Sequence, residues 1–175
     1  MPPERRDPTF HLHSSMPCYH FTFHSYGTWM PDEDDGYVKR KRGRLPQNVI
    51  EAAEYRQLMT GEETEFEERH EKTMIDEVHV TATKLDFRVH YIATEPTHIH
   101  ILVSWKDDRP WLKLRRSLKS SLSRRLNRDH GRQRWLSEGG SRRKVVNQEH
   151  FDYLVCTYLP RHSGWKWSEE KGLHK

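Results

Sequence analysis

The stretch from Phe87 to Trp105, "FRVHYIATEPTHIHILVSW", constrains the fold more than any other part of the chain. Two runs rich in β-branched and aromatic residues flank Glu95-Pro96-Thr97, a short polar break whose proline marks a turn. Such a pair of runs forms an antiparallel hairpin. Alternation in the first run, which begins near Lys84, groups Leu85, Phe87, Val89 and Tyr91 on one face. In the second run Ile99, Ile101, Val103 and Trp105 share the buried face, which leaves His98 and His100 together on the other.

The remaining elements order themselves around this hairpin. "CYHFTFHSYGTW" alternates, with Tyr19, Phe21 and Phe23 on one face and His20, Thr22 and His24 on the other, as a half-buried strand does. "MPDEDDGYVKRKRGRLP" reads as a long loop, and it lacks the ligand spacing and closing Glu of an EF-hand. From Gln47 to about Thr83 the pattern is helical, interrupted near Thr60-Gly61, with Phe66, His70, Met74 and Val78 on one face. "RPWLKLRRSLKSSLSRRLNRDHG" is an amphipathic helix with Trp111, Leu114, Leu118, Leu122 and Leu126 in one stripe and Gly131 as its C-terminal stop. "RWLSEGGSRRKVV" reads as an edge strand or hairpin, and "NQEHFDYLVCTYL" as a last helix capped by Asn147. The order β–α–β–β–α–β–α predicts an α+β fold: a ferredoxin-like, RRM-like antiparallel sheet with helices packed on one face. Residues 1–16 hold three prolines and no periodicity, so they are expected to be a flexible tail before one domain over 17–175.

Charge is unevenly spread. Residues 51–78 hold ten Asp and Glu against three Lys and Arg, whereas residues 106–144 hold fourteen Lys and Arg against four acids. A block of that sign and density suits a polyanion, although basic helices are also often plain solvated faces. No apolar run approaches the length of a membrane span and the start is unlike a secretory signal, so a soluble, cytoplasmic protein is expected. Cys18 and Cys156 lack any CxxC spacing and read as reduced, structural thiols.

Residues i and i+2 of a strand point the same way with Cβ atoms about 7 Å apart, so His98 and His100 can converge on one cation. The triplet alone proves little, because "HLH" also occurs at His11–His13 in the expected tail. Further candidates lie in the last helix. Tyr158 and His162 are four residues apart and would share a helical face, but Pro160 stands between them and disfavours helix at Leu159. Tyr153 is the competing tyrosine.

Together these residues resemble a known family. "THIHILVSW" is similar to the HUH motif (His, bulky hydrophobic, His) of the single-tyrosine HUH transposases. "EHFDYLVCTYLPRHSGW" resembles the tyrosine helix of their REP-associated relatives, with His150 and Tyr158 at that family's separation and Gly164 near its following glycine. "YHFTFHSYGTW" is similar to the family's opening strand. The resemblance implies an HUH endonuclease fold and a transposase that cleaves and rejoins single-stranded DNA, at a hairpin or repeat element. It implies Tyr158 as nucleophile, with Tyr153 the runner-up, forming a 5′-phosphotyrosine. It implies Mg²⁺ or Mn²⁺ held by His98, His100 and His162, the last standing where the family has Asn or Gln. Relatives occur as monomers and as dimers, which leaves a homodimer open. Lys113, Arg115, Arg116, Lys119, Arg124 and Arg125 on the basic helix, and Arg142, Arg143 and Lys144 before the tyrosine helix, would bind DNA phosphates. Trp165 and Trp167 either stack on unpaired bases or cover a core edge. Two other readings remain: a non-catalytic ferredoxin-like nucleic-acid-binding domain, and a metal-dependent nuclease that uses water.

Overall fold

In the computed structural model, Leu12 and residues 16–28, 37–39 and 42–175 are described. The described chain runs β1 (Cys18–His24), β2 (Tyr37–Lys39), β3 (Gly43–Leu45), α1 (Val49–Leu58), α2 (Glu68–Leu85), β4 (Arg88–Glu95) and β5 (His98–Ser104). It continues through α3 (Trp111–His130), β6 (Ser141–Lys144), α4 (Gln148–Tyr153), a π-helical turn Leu154–Tyr158 and a 3₁₀ turn Leu159–Arg161. It ends with β7 (Lys166–Ser168) and β8 (Gly172–His174). Apart from Leu12 and Met16, the expected tail lies outside the described residues, and so do His11 and His13. Much of the loop expected after Trp29 also lies outside them, but its later part contains the two-stranded ladder of β2 and β3.

The main sheet has the order β6-β1-β5-β4-β7-β8, with every pairing antiparallel. Its first four strands, joined through α2 and α3, have the split βαβ arrangement of a ferredoxin-like fold, and β7 and β8 extend the β4 edge. The expected α+β architecture is therefore present. The β4–β5 hairpin turns between Glu95 and His98 as the sequence predicts.

One face of the sheet carries Tyr19, Phe21, Phe23, Ile99, Ile101 and Val103, which pack against Met74 and Val78 of α2 and the Leu114, Leu118, Leu122, Leu126 stripe of α3. That stripe follows the helical period, and all four leucines are buried. The other face is covered in part by Phe151, Leu154 and Leu159, packed on Cys18, Tyr91, Ala93 and Leu102. β5 is thus covered on both sides, which explains why a strand carrying two histidines is otherwise aliphatic up to Val103.

Two local expectations fail for identifiable reasons. α2 continues to Leu85 and is stopped by Asp86 in the left-handed region at φ 50°, so Leu85 belongs to the helix and the strand begins only at Arg88. A β-bulge between Val89 and Tyr91 then shifts the register. The extra residue sends Tyr91 to the opposite face from Phe87 and Val89. The helical interruption is also longer than the Thr60-Gly61 signal suggests, because α1 ends at Leu58 and α2 starts at Glu68. Leu122 is fully buried in the α3 stripe. Leu122→Ala is expected to lower stability by about 3 kcal/mol, and urea denaturation checks this. Val146→Ala, at an exposed position, should change the same midpoint by no more than about 0.5 kcal/mol.

Candidate metal centre and nucleophile

The β1–β5 register builds the floor of the site. Thr22 lies opposite His100 and His24 opposite His98, so β1 presents His20, Thr22 and His24 on the same face as the histidine pair. The His100 Nδ1 lies 2.9 Å from both His20 Nε2 and Thr22 Oγ1. His98 Nδ1 lies 2.9 Å from Thr97 Oγ1. Each ring of the pair is therefore oriented through one nitrogen and presents the other, Nε2, outward from these partners. Imidazoles that bind metals are held in this way.

His162 arrives by a different route. Asn147 caps α4 as expected, its side chain accepting from the His150 amide. Past Tyr153 the coil widens into the π turn, in which the Leu159 amide donates to the Leu154 carbonyl. Pro160 has no amide hydrogen and would crowd a continuing α-helix, and the chain tightens into a 3₁₀ turn instead. His162 ends that turn with extended backbone, at φ −67° and ψ 141°. Its Nδ1 sits 3.0 Å from the Leu159 carbonyl and so donates to it, and Nε2 has no hydrogen-bond partner among the described residues.

Ligand atoms of His98, His100 and His162 all lie within 4.8 Å of one another. The His100 Nε2 is buried and has no hydrogen-bond partner among the described residues. A buried polar atom left in that state costs free energy. A cation shared with the other two rings would satisfy it, and three neutral imidazoles are a suitable donor set. Burial above all, reinforced by neighbouring imidazoles and, at His20, by the Arg143 charge, keeps His20, His24, His98 and His100 neutral. It lowers His20 to about 3 and His24 and His98 to about 4, and His100 falls lower still.

Tyr158 closes the site. Its ring centroid is 5.2 Å from His162, 5.6 Å from His100 and 5.9 Å from His20, each contact edge-on. Tyr153 instead stacks on Tyr158 at 6.3 Å and is 49% exposed. Burial raises the Tyr158 phenol above its ordinary value, and the charge of Arg143 opposes that rise.

The basic residues divide between the two faces of the sheet. α3 packs behind it, so Lys113, Arg115, Arg116, Lys119, Arg124 and Arg125 belong to the side away from the histidines. Arg125 is bound by Asp76, Glu77 and Asp129. Arg115 donates to the Gly140 carbonyl at 2.7 Å, and Lys119 reaches the Gly139 carbonyl. On β6, Arg142 lies opposite Phe21 and its guanidinium stacks 4.1 Å from the Trp111 ring, while Lys144 lies opposite Tyr19. Arg143 lies opposite His20, and this register puts it on the face of the site. Trp165 and Trp167 pack against the core edge, Trp165 beneath the Lys72 ammonium and Trp167 against His79. Cys18 is buried, its thiol pushed up to about 12, but Cys156 is exposed rather than structural.

Sequence reasoning missed His20 and Thr22 beside His100, and likewise the contacts around His162 of Glu95, whose carboxylate accepts from Ser163, and Lys166, whose ammonium donates to the His162 carbonyl. The first two carried a usable signal, because aligning the polar face of β1 against the HUH strand brings them to His100. The other two depend on a long-range contact with no local pattern.

Fold and site together define a ferredoxin-like domain with three histidines and a tyrosine gathered on one sheet face. The sequence profile of the family described as "Transposase IS200 like" matches residues 50–149, more than half of the chain, and the protein belongs to that family. The match includes His98 and His100 and stops short of Tyr158 and His162. No curated protein matches the chain. Among solved structures, a REP-associated tyrosine transposase bound to a REP hairpin aligns with TM-score 0.44 at 7% identity, covering 87% of this chain and 74% of that one. A candidate transposase from Deinococcus radiodurans R1 aligns with TM-score 0.46 at 14% identity, covering 92% of this chain and 98% of that one. No helix among the described residues is long and apolar enough to cross a membrane.

The buried rings set a pH dependence. An unfolded histidine takes up its proton near 6.5, whereas folded His24 and His98 resist until about 4 and His20 until about 3. Between those limits the unfolded state binds more protons, so stability is full above 6.5 and declines as pH falls toward 4. Urea midpoints with chelator present should drop from pH 7.5 to pH 5, and equal midpoints would show that the rings accept protons in place.

Proposed function

We propose that the protein is a transposase that cleaves and rejoins single-stranded DNA through a covalent bond to Tyr158. The observation that carries this reading is that Tyr158 lies edge-on to His100 and His162, two of the three rings whose ligand nitrogens lie within 4.8 Å of one another. Family membership supports DNA as the substrate class. All of these side chains come from one chain, so a site of this design needs no second copy.

In the proposed step the Tyr158 hydroxyl loses its proton to water and its oxygen bonds to the phosphorus of a backbone phosphodiester. The bond from phosphorus to the 3′ oxygen breaks, and that oxygen takes up a proton to become a free 3′-hydroxyl. The 5′ phosphate remains on Tyr158, which conserves the bond energy for a later 3′-hydroxyl to restore the strand and release the tyrosine. His98, His100 and His162 would hold a divalent cation, and a cation there supplies neutralising charge at a non-bridging phosphate oxygen. An all-imidazole donor set accommodates Mn²⁺ or Zn²⁺ more readily than Mg²⁺, which prefers oxygen ligands. His20 and Thr22 fix the His100 ring. Arg143 acts on the phosphate and favours the phenolate, because its charge reaches Tyr158. The half-exposed Tyr153 ring offers a flat surface to a neighbouring base.

Incubated with Mn²⁺ and single-stranded oligonucleotides that carry hairpin flanks, the protein should leave an adduct that survives boiling in detergent. Tyr158→Phe should abolish it and Tyr153→Phe should retain it. An adduct that persists in Tyr158→Phe overturns the assignment, and DNA binding with no adduct in the parent protein favours the non-catalytic reading. Arg143→Ala should slow adduct formation on the order of a hundredfold, as loss of one charge-stabilising donor does. Lys113→Ala and Arg116→Ala, behind the sheet, should leave the rate unchanged, which single-turnover kinetics would reveal.

A further inference from the structure

We infer that Glu95 and Lys166 are positioning residues that hold His162 against the other two histidines. The inference rests on reading the three rings as a metal centre. Pro160 removes the helical support that an i, i+4 arrangement would have given His162, and the residue leaves its turn in extended conformation. Its position is therefore set by what grips the segment after it.

That grip comes from β4. The Glu95 carboxylate accepts from both the amide and the hydroxyl of Ser163, each at 2.7 Å. The Gly164 amide donates to the Thr94 carbonyl at 3.0 Å. A Cβ on Gly164 would stand 2.3 Å from that carbonyl, so only glycine lets the backbone come this close. From the other side the Lys166 ammonium, on a residue only 7% exposed, donates to the His162 carbonyl at 2.7 Å and the Gly164 carbonyl at 3.2 Å.

Lysine is rarely buried unless its charge is used. Here the ammonium draws together the carbonyl of the histidine itself and that of the glycine packed on β4. The register explains the specificity of the clamp. Glu95 lies opposite His98 across the hairpin, and Lys166 lies opposite Ala93, which lies opposite His100. The clamp thus fixes the third histidine to the same two rungs of the sheet that carry the first two.

A purely structural role would instead fasten β7 to the sheet without any bearing on the histidines. Calorimetric titration of the full chain with Mn²⁺, without DNA, separates the two. Glu95→Ala and Lys166→Met should each weaken Mn²⁺ binding by about tenfold or more, the range for residues that orient metal ligands. Because both act through His162, adding Glu95→Ala to His162→Ala should cost no more than about twofold beyond His162→Ala alone. Glu95→Gln keeps one acceptor for Ser163 and should recover part of the affinity. It also carries the test if Glu95→Ala fails to fold, as judged by its thermal transition. Unchanged affinity in folded variants, or a full additive loss in the double variant, overturns the positioning role alone. A parent protein that binds no Mn²⁺, Zn²⁺ or Mg²⁺ overturns the metal centre and this inference with it.

Discussion

The antiparallel register between β1 and β5 is the constraint on which the site depends. It sets Thr22 beside His100 and His24 beside His98 in the middle of a sheet covered on both faces. At that depth an imidazole is held neutral and every polar atom must find a partner. One nitrogen of His100 finds His20 and Thr22, and the other finds nothing among the described residues. A slip of one residue would send both histidines into the leucine-lined side. The apolar alternation that buries Ile99, Ile101 and Val103 is thus also what aims the histidines, and fold and chemistry share one pattern.

Charge follows a similar economy. The acidic and basic blocks of the sequence look like separate surfaces, but α2 and α3 lie side by side. Arg125 answers Asp76 and Glu77 across that contact, while Ser121 links Thr81 to Glu77. Part of the basic block is therefore spent on internal pairs behind the sheet. The positive charge that reaches the tyrosine comes from β6, where Arg143 sits opposite His20. A high local count of arginines predicted attraction for a polyanion, but only strand register says which arginine lies on the face of the histidines.

Features carried by local periodicity were legible from the sequence. The hairpin strands, the α3 leucine stripe and the outward pair of histidines follow from spacing of 2 or 3.6 residues, and the Asn147 cap from its residue type at a helix start. Features that depend on one inserted or missing group were not. The bulge that reverses Tyr91 leaves no clear mark in an alternating run. Pro160 announced that the helix must change without saying how, and the answer involves a π turn, a 3₁₀ turn and a clamp. The clamp itself joins Glu95 to Ser163 and Thr94 to Gly164, contacts about seventy positions apart that only the folded sheet brings together. Loss of helix at Pro160 did not exclude His162 from the cluster, because tertiary contacts took over the work of the helix.

In the proposed site His98, His100 and His162 of a single chain share one cation through their Nε2 atoms, beside Tyr158. Anomalous diffraction at the manganese edge, from crystals soaked in Mn²⁺, tests it most directly. A single strong peak is expected, with the three Nε2 atoms at about 2.1 Å, near the usual imidazole–metal distance, and with the Nδ1 atoms still on Thr97, His20 or Thr22, and Leu159. A peak elsewhere in the molecule, or ligation that leaves out His162, would contradict it.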